Sequence, residues 1–311
     1  MENSTTVKFF SLSGLQETRS NKSVYFTFTF LFYLIIIFVN LTLIVIIILE
    51  KGLHEPMYIF LCNLCVNGLY GTAGFYPKLL LDLLSDVHVI SYVGCITQGY
   101  IIYTSVMCEI TILTVMAYDR YVAICRPLQY HIIMTPLTVG KLLSFAWSYP
   151  LLSSVVSVVL TVRIPLCGSY IDKLFCDNWS ILKLSCVPTI PNAIYSYILV
   201  LGQLSQLFWI IYSYFQIVKA CLKSREGRIK FTQTCLPHLL TMINFATVTL
   251  FDNLYSRHSS QNLTPSLRNA MTLQFLVIPP VFNPIIYGLN LQKIRRTVFT
   301  LCNNYKVTQM Q

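Results

Sequence analysis

The chain has 311 residues, of which 55% are hydrophobic and only 11% are charged, and its mean hydropathy is +0.63. Soluble domains carry about 25% charged residues, so this deficit excludes an ordinary soluble domain and favours a membrane protein. The formal net charge is +10, but the basic residues stand between apolar runs and form no continuous patch, which excludes a nucleic-acid interface.

Seven apolar runs follow one another along the chain, and each exceeds the roughly 20 residues needed to cross a hydrocarbon core. Lipid offers no hydrogen bonds to bare backbone groups, so these runs are predicted to be helices. The predicted fold class is therefore an all-α membrane protein, a seven-transmembrane helix bundle. The runs cover residues 24–49, 57–80, 93–122, 137–162, 192–222, 231–255 and 266–289.

Basic residues and cysteines predict the orientation of this bundle. If the N-terminus is outside, the densest basic cluster, at 223–230, falls on the inner side, as expected for cytoplasmic loops. Four cysteines then lie in outer segments, where the secretory route is oxidising, and they predict two disulfides. Their number leaves three pairings open. The four are Cys95, Cys167, Cys176 and Cys186.

Three parts make up the predicted organisation. An extracellular N-terminal tail covers residues 1–23, and the helix bundle covers 24–290. A short amphipathic helix and a cytoplasmic tail follow over 291–311, with basic residues spaced between apolar ones. Glycan acceptor sequences at Asn3 and Asn21 fall in the outer tail, and we expect both asparagines to be glycosylated.

The third apolar run contains the most informative polar residues, since polar groups inside a bilayer are costly and mark functional sites. Glu109 precedes Arg120 by about three helical turns, so both lie near one face, which is expected to look into the bundle. Two interpretations of Glu109 stay open. It is either a protonated carboxyl bonded to a neighbouring helix, or an ion or proton site coupled to activation.

The seventh run ends in PPVFNPIIYG, from Pro279 to Gly288. Pro284 removes a backbone hydrogen bond and is expected to kink the helix, while Asn283 can bond to the freed carbonyls or to a neighbouring helix. A proline kink alone is a common packing device. Together with the acid–base pair Asp119–Arg120 at the end of the third of seven helices, it indicates more than packing.

These motifs resemble those of rhodopsin-like G-protein-coupled receptors and, within that class, of vertebrate odorant receptors. MAYDRYVAICRPLQY (116–130) is similar to the signature at the end of the third helix, and LHEPMYIFLCNL (53–64) to the first inner loop and second helix. KFTQTCLPHL (230–239) and NPIIYG (283–288) resemble the motifs of the sixth and seventh helices. The loop at 166–186 carries three cysteines, as in that family.

The resemblance implies roles for particular residues. It pairs Cys95 with Cys176 and Cys167 with Cys186. It implies that Arg120 meets the G protein once the sixth helix swings outward, and that Asp119 restrains Arg120 at rest. The full set of residues implied in activation and G-protein coupling is Asp119, Arg120, Tyr121, Tyr214, His238, Asn283, Pro284 and Tyr287.

The sequence also departs from the family pattern. Gly68 stands where rhodopsin-like receptors usually carry an acid of a sodium site, so Glu109 would act without that acid. The aromatic motif of the sixth helix is reduced to Phe245. That helix begins with Lys230 instead of an acid, so the resting state is expected to depend on Asp119 and packing.

A ligand pocket is expected between the helices on the outer side, lined mostly by apolar groups. At its rim, Arg257 can pair with a ligand carboxylate through two hydrogen bonds, as in the fish-like subset of odorant receptors that accepts small acids. A solvated charge, or an ion pair with Asp252, is the alternative. The candidate lining residues are Ile102, Tyr103, Val106, Met107, Gln203, Gln206, Phe245, Thr249, Asn253 and Arg257.

The predicted function is an odorant receptor that binds small odorants or water-borne metabolites and activates a stimulatory, olfactory-type heterotrimeric G protein. It is expected as a multi-pass protein of the plasma membrane, in contact with membrane lipid, in olfactory cilia. A metabolite-sensing receptor outside the olfactory system is the alternative. No lysine lies in 266–289 to hold retinal, which excludes a light receptor. No catalytic constellation is visible, so no enzyme activity, cofactor, metal or nucleic-acid partner is expected.

Overall fold

The computed structural model describes residues 7–13, 22–222, 235–236, 239–247, 278–286 and 294. The long helices are α1 (Lys22–Leu49), α2 (Pro56–Leu84), α3 (Tyr92–Cys125), α5 (Pro136–Val162) and α7 (Ile190–Cys221). Two short helices, α4 (Tyr130–Ile133) and α6 (Asn178–Leu182), and the 3-10 turns Lys51–Leu53 and Pro127–Gln129 lie in the connections. Residues 239–247 and 278–286 are also helical.

The long helices agree with the first five predicted spans to within a few residues, and the segments 239–247 and 278–286 fall inside the sixth and seventh. Four of the described helices, α1, α3, α5 and α7, are long and apolar enough to cross a membrane. Helix α2 has 29 residues but buries several polar positions between its neighbours α1 and α3. The helical membrane fold predicted from the sequence is therefore confirmed.

Helix α3 begins and ends at local signals in the sequence. The Ser91 hydroxyl accepts a hydrogen bond from the Gly94 N–H at 3.1 Å, which satisfies one of the free donors of the first turn. At the other end, Arg126 precedes Pro127 and leaves the helical region with φ −133°. A residue before proline is disfavoured in the helical conformation, so the helix ends at Cys125.

Helix α3 lies at the centre of the bundle, packed against α2, α5 and α7. Helices α2 and α3 approach so closely that a Cβ on Gly71 would lie 2.2 Å from the Ser105 hydroxyl oxygen. Trp147 of α5 donates a hydrogen bond from Nε1 to Asn63 Oδ1 of α2 at 3.0 Å. Because α3 is surrounded in this way, its polar side chains are held inside the protein.

A three-stranded sheet covers the end of the bundle where α3 begins. Strand β1 (Phe9–Leu12) is central, with β2 (Val89–Ser91) antiparallel on one side and β3 (Tyr170–Ile171) parallel on the other. Phe10 is fully buried, and Leu12 of the same strand is 4% exposed. Residues 9–12 belong to the segment expected to be an extracellular tail, so their pairing in a sheet is a finding that the sequence did not predict.

Two disulfides lie at the same end of the molecule. They join Cys95 to Cys176 and Cys167 to Cys186, the two pairs implied by the resemblance. The first bond is fully buried and belongs to a core cluster with Phe10. It ties the loop before α6 covalently to the first turn of α3.

A charged cluster joins the ends of α1 and α2 beside this sheet. Lys22 Nζ donates to Asp86 Oδ1 at 2.7 Å, and Lys78 pairs with the buried Asp82. His88 Nδ1 lies 3.9 Å from Asp82 Oδ1. Desolvation lowers the pKa of His88 despite the nearby Asp82, so the ring is neutral at pH 7.

We expect Cys176→Ala to destabilise the receptor, because it removes the link between α3 and the loop that packs above it. Loss of a native disulfide typically costs about 2–5 kcal/mol. Thermal unfolding of the purified protein measures the effect. The matched control is Cys62→Ala, which removes a half-buried free thiol. Equal unfolding midpoints for the two variants would contradict the structural role of the Cys95–Cys176 bond.

Candidate functional site

The apolar surface of α3 is interrupted near its C-terminal end by a buried acid–base pair. The Asp119 side chain is fully buried, and Arg120 retains 16% exposure. Arg120 Nε donates a hydrogen bond to Asp119 Oδ2 at 2.8 Å, and Nη2 donates to the same oxygen. A buried carboxylate is tolerated only when it is paired and hydrogen-bonded, and Arg120 meets that need from the next position along the chain.

Tyr130 of α4 occupies the second oxygen of the same carboxylate. Its hydroxyl donates to Asp119 Oδ1 at 2.8 Å. Burial, and then the charge of Asp119, raise the pKa of Tyr130, so the phenol stays protonated and remains a donor. The sequence pattern did not single out Tyr130 as a site residue, although it ends the quoted motif 116–130. The structure thus makes α4 part of the Asp119–Arg120 network.

The other described residues that are implied in activation are buried or half-buried in the bundle. Tyr214 of α7 is 4% exposed and belongs to the core cluster that also holds Met116 and Val122 of α3. Tyr121 is half-buried against that cluster. Pro284 is buried within the helical segment 278–286. His238 and Tyr287 lie outside the described residues.

Glu109 lies in the middle of the bundle, 7% exposed, and contacts the seventh predicted span directly. Asn283 Nδ2 donates to Glu109 Oε1 at 3.0 Å. Both residues line a polar cavity of about 20 Å³, enough for a water molecule or a small ion. The other polar residues of this cavity are Asn40, Asn67, Thr72 and Ser105.

Amide groups around this cavity leave acceptors free. Asn67 Nδ2 donates to the Ser105 carbonyl at 3.0 Å, while its buried Oδ1 has no hydrogen-bond partner among the described residues. The same holds for Asn283 Oδ1. Oxygen acceptors beside a carboxylate suit a hard monovalent cation or a water molecule. A Cβ added to Gly68 would lie 3.4 Å from Asn40 Oδ1, an ordinary contact distance, so Gly68 borders α1 at this cavity.

The ligand candidates on α3 lie in different surroundings. Ile102 is 3% exposed and packs with Phe75 and Phe175 beneath the loop that carries β3. Met107 is 1% exposed, and Val106 lines the polar cavity of Glu109. Tyr103 lies on a different side of α3 from Ile102. It is 41% exposed and lines a small cavity between α3, α5 and α6, because it lies about 100° around the helix from Ile102.

The candidates on other helices are only partly described. Gln206 of α7 faces α3, since its Oε1 accepts a hydrogen bond from the Thr111 hydroxyl at 3.4 Å. Gln203 is half-buried, and Phe245 is 4% exposed in the same core cluster as Tyr214. Thr249, Asn253 and Arg257 lie outside the described residues, as do Asn3 and Asn21.

A central third helix ending in a buried Asp–Arg pair, with disulfides at its other end, is the arrangement of a rhodopsin-like receptor. Residues 28–304 match the family model described as "Olfactory receptor". The chain is 34% identical over 307 residues to "Olfactory receptor 8A1" of Mus musculus, covering 94% of this chain and 95% of that protein. It is 34% identical over 297 residues to "Olfactory receptor 2K2" of Homo sapiens, covering 94% and 93%.

The chain belongs to the olfactory receptor family. This family consists of seven-transmembrane receptors that bind odorants and act through G proteins, and its members are not enzymes.

We expect Asp119→Asn to raise basal signalling, because it removes the charge that holds Arg120 at rest. A hydrogen bond to a charged group is worth about 1.5–3 kcal/mol. Because this bond stabilises the resting state and not the active state, its loss increases the ratio of active to resting receptor at least about ten-fold. Tyr130→Phe removes one bond and is expected to have a smaller effect in the same direction. Agonist-free signalling, normalised to surface receptor, measures both.

The control for these variants is Tyr195→Phe. It also removes a tyrosine hydrogen bond, from the hydroxyl to the Ser153 carbonyl at 3.0 Å, but near the opposite end of the bundle. Basal signalling of this control should match the wild type. An Asp119→Asn receptor that reaches the cell surface and stays silent would contradict the restraining role of Asp119.

Proposed function

We propose that this receptor binds small odorants or water-borne metabolites in the half of the bundle beneath β3 and activates a stimulatory, olfactory-type heterotrimeric G protein at the opposite end. The buried Asp119–Arg120–Tyr130 network carries the proposal, since it places a restrained arginine where α3 ends. An agonist needs only a higher affinity for the active packing, and that difference shifts the population. Arg120 then meets the G protein, with Tyr214 and Tyr287 moving toward it.

The proposed orientation places the N-terminus outside the cell, and the proposed location is the plasma membrane of olfactory cilia. Both disulfides and the N-terminal strand β1 lie at one end of the bundle, which suits the oxidising side. Arg126 and Lys141 lie toward the other end, which suits the cytoplasmic side. Glycans at Asn3 and Asn21 belong to the same proposal.

An N-terminal epitope tag tests the orientation. It should bind antibody on intact cells, and a tag at the C-terminus should bind only after permeabilisation. Antibody binding to the C-terminal tag on intact cells would overturn the orientation. Glycosidase treatment should increase the gel mobility of the wild type. The same treatment should leave the gel mobility of the double variant Asn3→Gln/Asn21→Gln unchanged.

A screen for cyclic-AMP responses in transfected cells tests the ligand class and the G protein together. The panel contains amino acids, short-chain acids, bile-type acids and neutral volatiles. The wild type should respond to one of these classes, and a surface-expressed Arg120→Ala variant should not. A response that persists in cells lacking stimulatory G proteins would overturn the proposed coupling. A map of tissue expression separates the odorant receptor from a metabolite sensor outside the olfactory system.

Arg257 is proposed to bind the carboxylate of an acidic agonist. We expect Arg257→Ala to abolish responses to acidic ligands and to leave neutral ones unchanged, because only the acids need a guanidinium partner. Arg257→Lys keeps the charge without the two-pronged geometry and should retain a weakened response. Dose–response curves for an acid and its neutral ester measure this. Unchanged potency of the acid on Arg257→Ala would contradict the proposal.

Glu109 is proposed as the ionisable group of a site for a monovalent cation or a proton. Support comes from its burial, its bond to Asn283 and the unpaired amide oxygens around the small cavity. Asn283 belongs to a segment implied in activation. Occupancy of the cavity would therefore act on the packing between α3 and the helical segment 278–286.

We expect sodium chloride to raise the unfolding temperature of the purified receptor above its value in choline chloride at equal ionic strength. Glu109→Gln should remove this difference because it removes the carboxylate of the cavity. Asp86→Asn is the control, since Asp86 is 88% exposed and lies outside the cavity. Sodium dependence that survives Glu109→Gln would refute the cation site. If the unfolding temperature of the wild type does not depend on sodium, the proton site is tested by the pH dependence of signalling. A pH dependence that is lost in Glu109→Gln would support a proton at this position.

A further inference from the structure

A groove on the flank of the bundle lies between α3 and α7, and of its described lining residues only Tyr121 is among those implied in activation. It has a volume of about 450 Å³. We call it the aromatic groove, because five of its seven lining residues carry aromatic rings. Its lining residues are Tyr118, Tyr121, Val122 and Arg126 along α3 and its end, and Phe208, Trp209 and Tyr212 on α7.

The α7 side of the aromatic groove faces outward from the protein. Phe208 is 72% exposed, Trp209 is 39% exposed and Tyr212 is 41% exposed. Phe208 lies thirteen residues before Cys221, which ends α7, or about 20 Å along the helix. Because α7 is long and apolar enough to span a membrane, this part of the groove opens into the hydrocarbon layer.

One end of the aromatic groove is charged. Arg126, just past the end of α3, is exposed and is the one charged side chain among the seven lining residues. None of the ion pairs in the described part of the chain involves Arg126. A guanidinium presents several donors in a planar fork that matches phosphate oxygens, so Arg126 suits a phosphate group.

We propose that the aromatic groove binds one anionic phospholipid of the inner leaflet. The head-group phosphate lies on Arg126, and one acyl chain runs along Trp209 and Phe208. The proposal rests on the orientation proposed above, in which the C-terminal end of α3 faces the cytoplasm, the side where anionic lipids concentrate. Tyrosine and tryptophan suit the same position because their rings favour the membrane interface.

The charged end of the aromatic groove and its exposed aromatic side chains together favour a lipid over a soluble occupant. Free phosphate would contact Arg126 and leave the aromatic side chains untouched. An acidic segment of a cytoplasmic protein would have to enter the hydrocarbon layer to reach Phe208. A phospholipid combines a charged end with an apolar chain, as the lining of the groove does. By bridging α3 and α7, the bound lipid stabilises the arrangement of these two helices seen here.

Native mass spectrometry of the full-length receptor in detergent, titrated with phosphatidylserine or phosphatidylcholine, tests the proposal. The wild type should retain one phosphatidylserine in preference to phosphatidylcholine. Arg126→Gln should weaken that binding about five-fold, the factor expected for one basic residue at an anionic surface. Lys141→Gln is the matched control, since it removes another exposed positive charge, on α5, that does not line the groove.

Two further arms identify the occupant. Glycerophosphoserine, which has the head group without acyl chains, should not displace the lipid at the same concentration. Phosphatidylserine brominated on its acyl chains should quench the fluorescence of Trp209, and Trp209→Phe should remove that quenching. These measurements in detergent do not depend on orientation or G-protein coupling, so failure of the proposed function leaves them interpretable.

Three results would overturn the lipid site. Equal losses in Arg126→Gln and Lys141→Gln would show nonspecific attraction to charge. Displacement by glycerophosphoserine or inorganic phosphate would show an anion site without a lipid chain. Quenching that persists in Trp209→Phe would place the acyl chain elsewhere. If Arg126→Gln fails to fold, Phe208→Ala tests the apolar end and should weaken retention while leaving Arg126 in place.

Discussion

The buried carboxylate of Asp119 is the interaction on which the signalling end of this receptor depends. Both of its oxygens are occupied, one by Arg120 and the other by Tyr130. Among the described residues, the hydrogen bonds that restrain the arginine therefore come from its own helix and from the loop that follows. The sixth helix begins with Lys230 and not with an acid. No ion pair between an acid at this position and Arg120 therefore has to break when the helix moves outward. In the proposed mechanism, release of Arg120 therefore begins with a change around Asp119, and the bond from Tyr130 makes α4 part of that step.

Helix α3 also carries Glu109 of the polar cavity. A movement of this one helix therefore affects both the cavity and the Asp119 network. Glu109 and Asp119 lie ten residues apart on α3, and each bonds to a different neighbour: Asn283 in one case and Tyr130 in the other. A small rotation of α3 would strain both contacts at once, because side chains on a packed helix cannot move independently of its backbone. With Gly68 in place of an acid, Glu109 is the one carboxylate among the described residues that line this cavity.

The sequence predicted the helices well and the contacts between them poorly. Long apolar runs define spans within a few residues, because the bilayer fixes their length. The position of Tyr103 on the α5 side of α3 was not predicted, because burial depends on which neighbour covers each face of the helix and periodicity alone does not show that. Strand β1 was missed because four residues carry too short an alternation to detect. Tyr130 was missed because its partner, Asp119, lies in another element, and only the fold brings them together.

The two ends of the bundle are held by different kinds of bond, and this difference sets where the receptor can switch. At the end that carries the sheet, the Cys95–Cys176 bond fixes α3 to the loop above it, and thermal motion does not break a covalent link. At the other end, the hydrogen bond from Tyr130 to Asp119 links α3 to α4, and a bond of this kind is worth about 1.5–3 kcal/mol. A ligand with a modest preference for one packing can overcome bonds of that size. In the proposed mechanism, rearrangement is therefore concentrated around Arg120, although the proposed ligand pocket lies at the covalently fixed end.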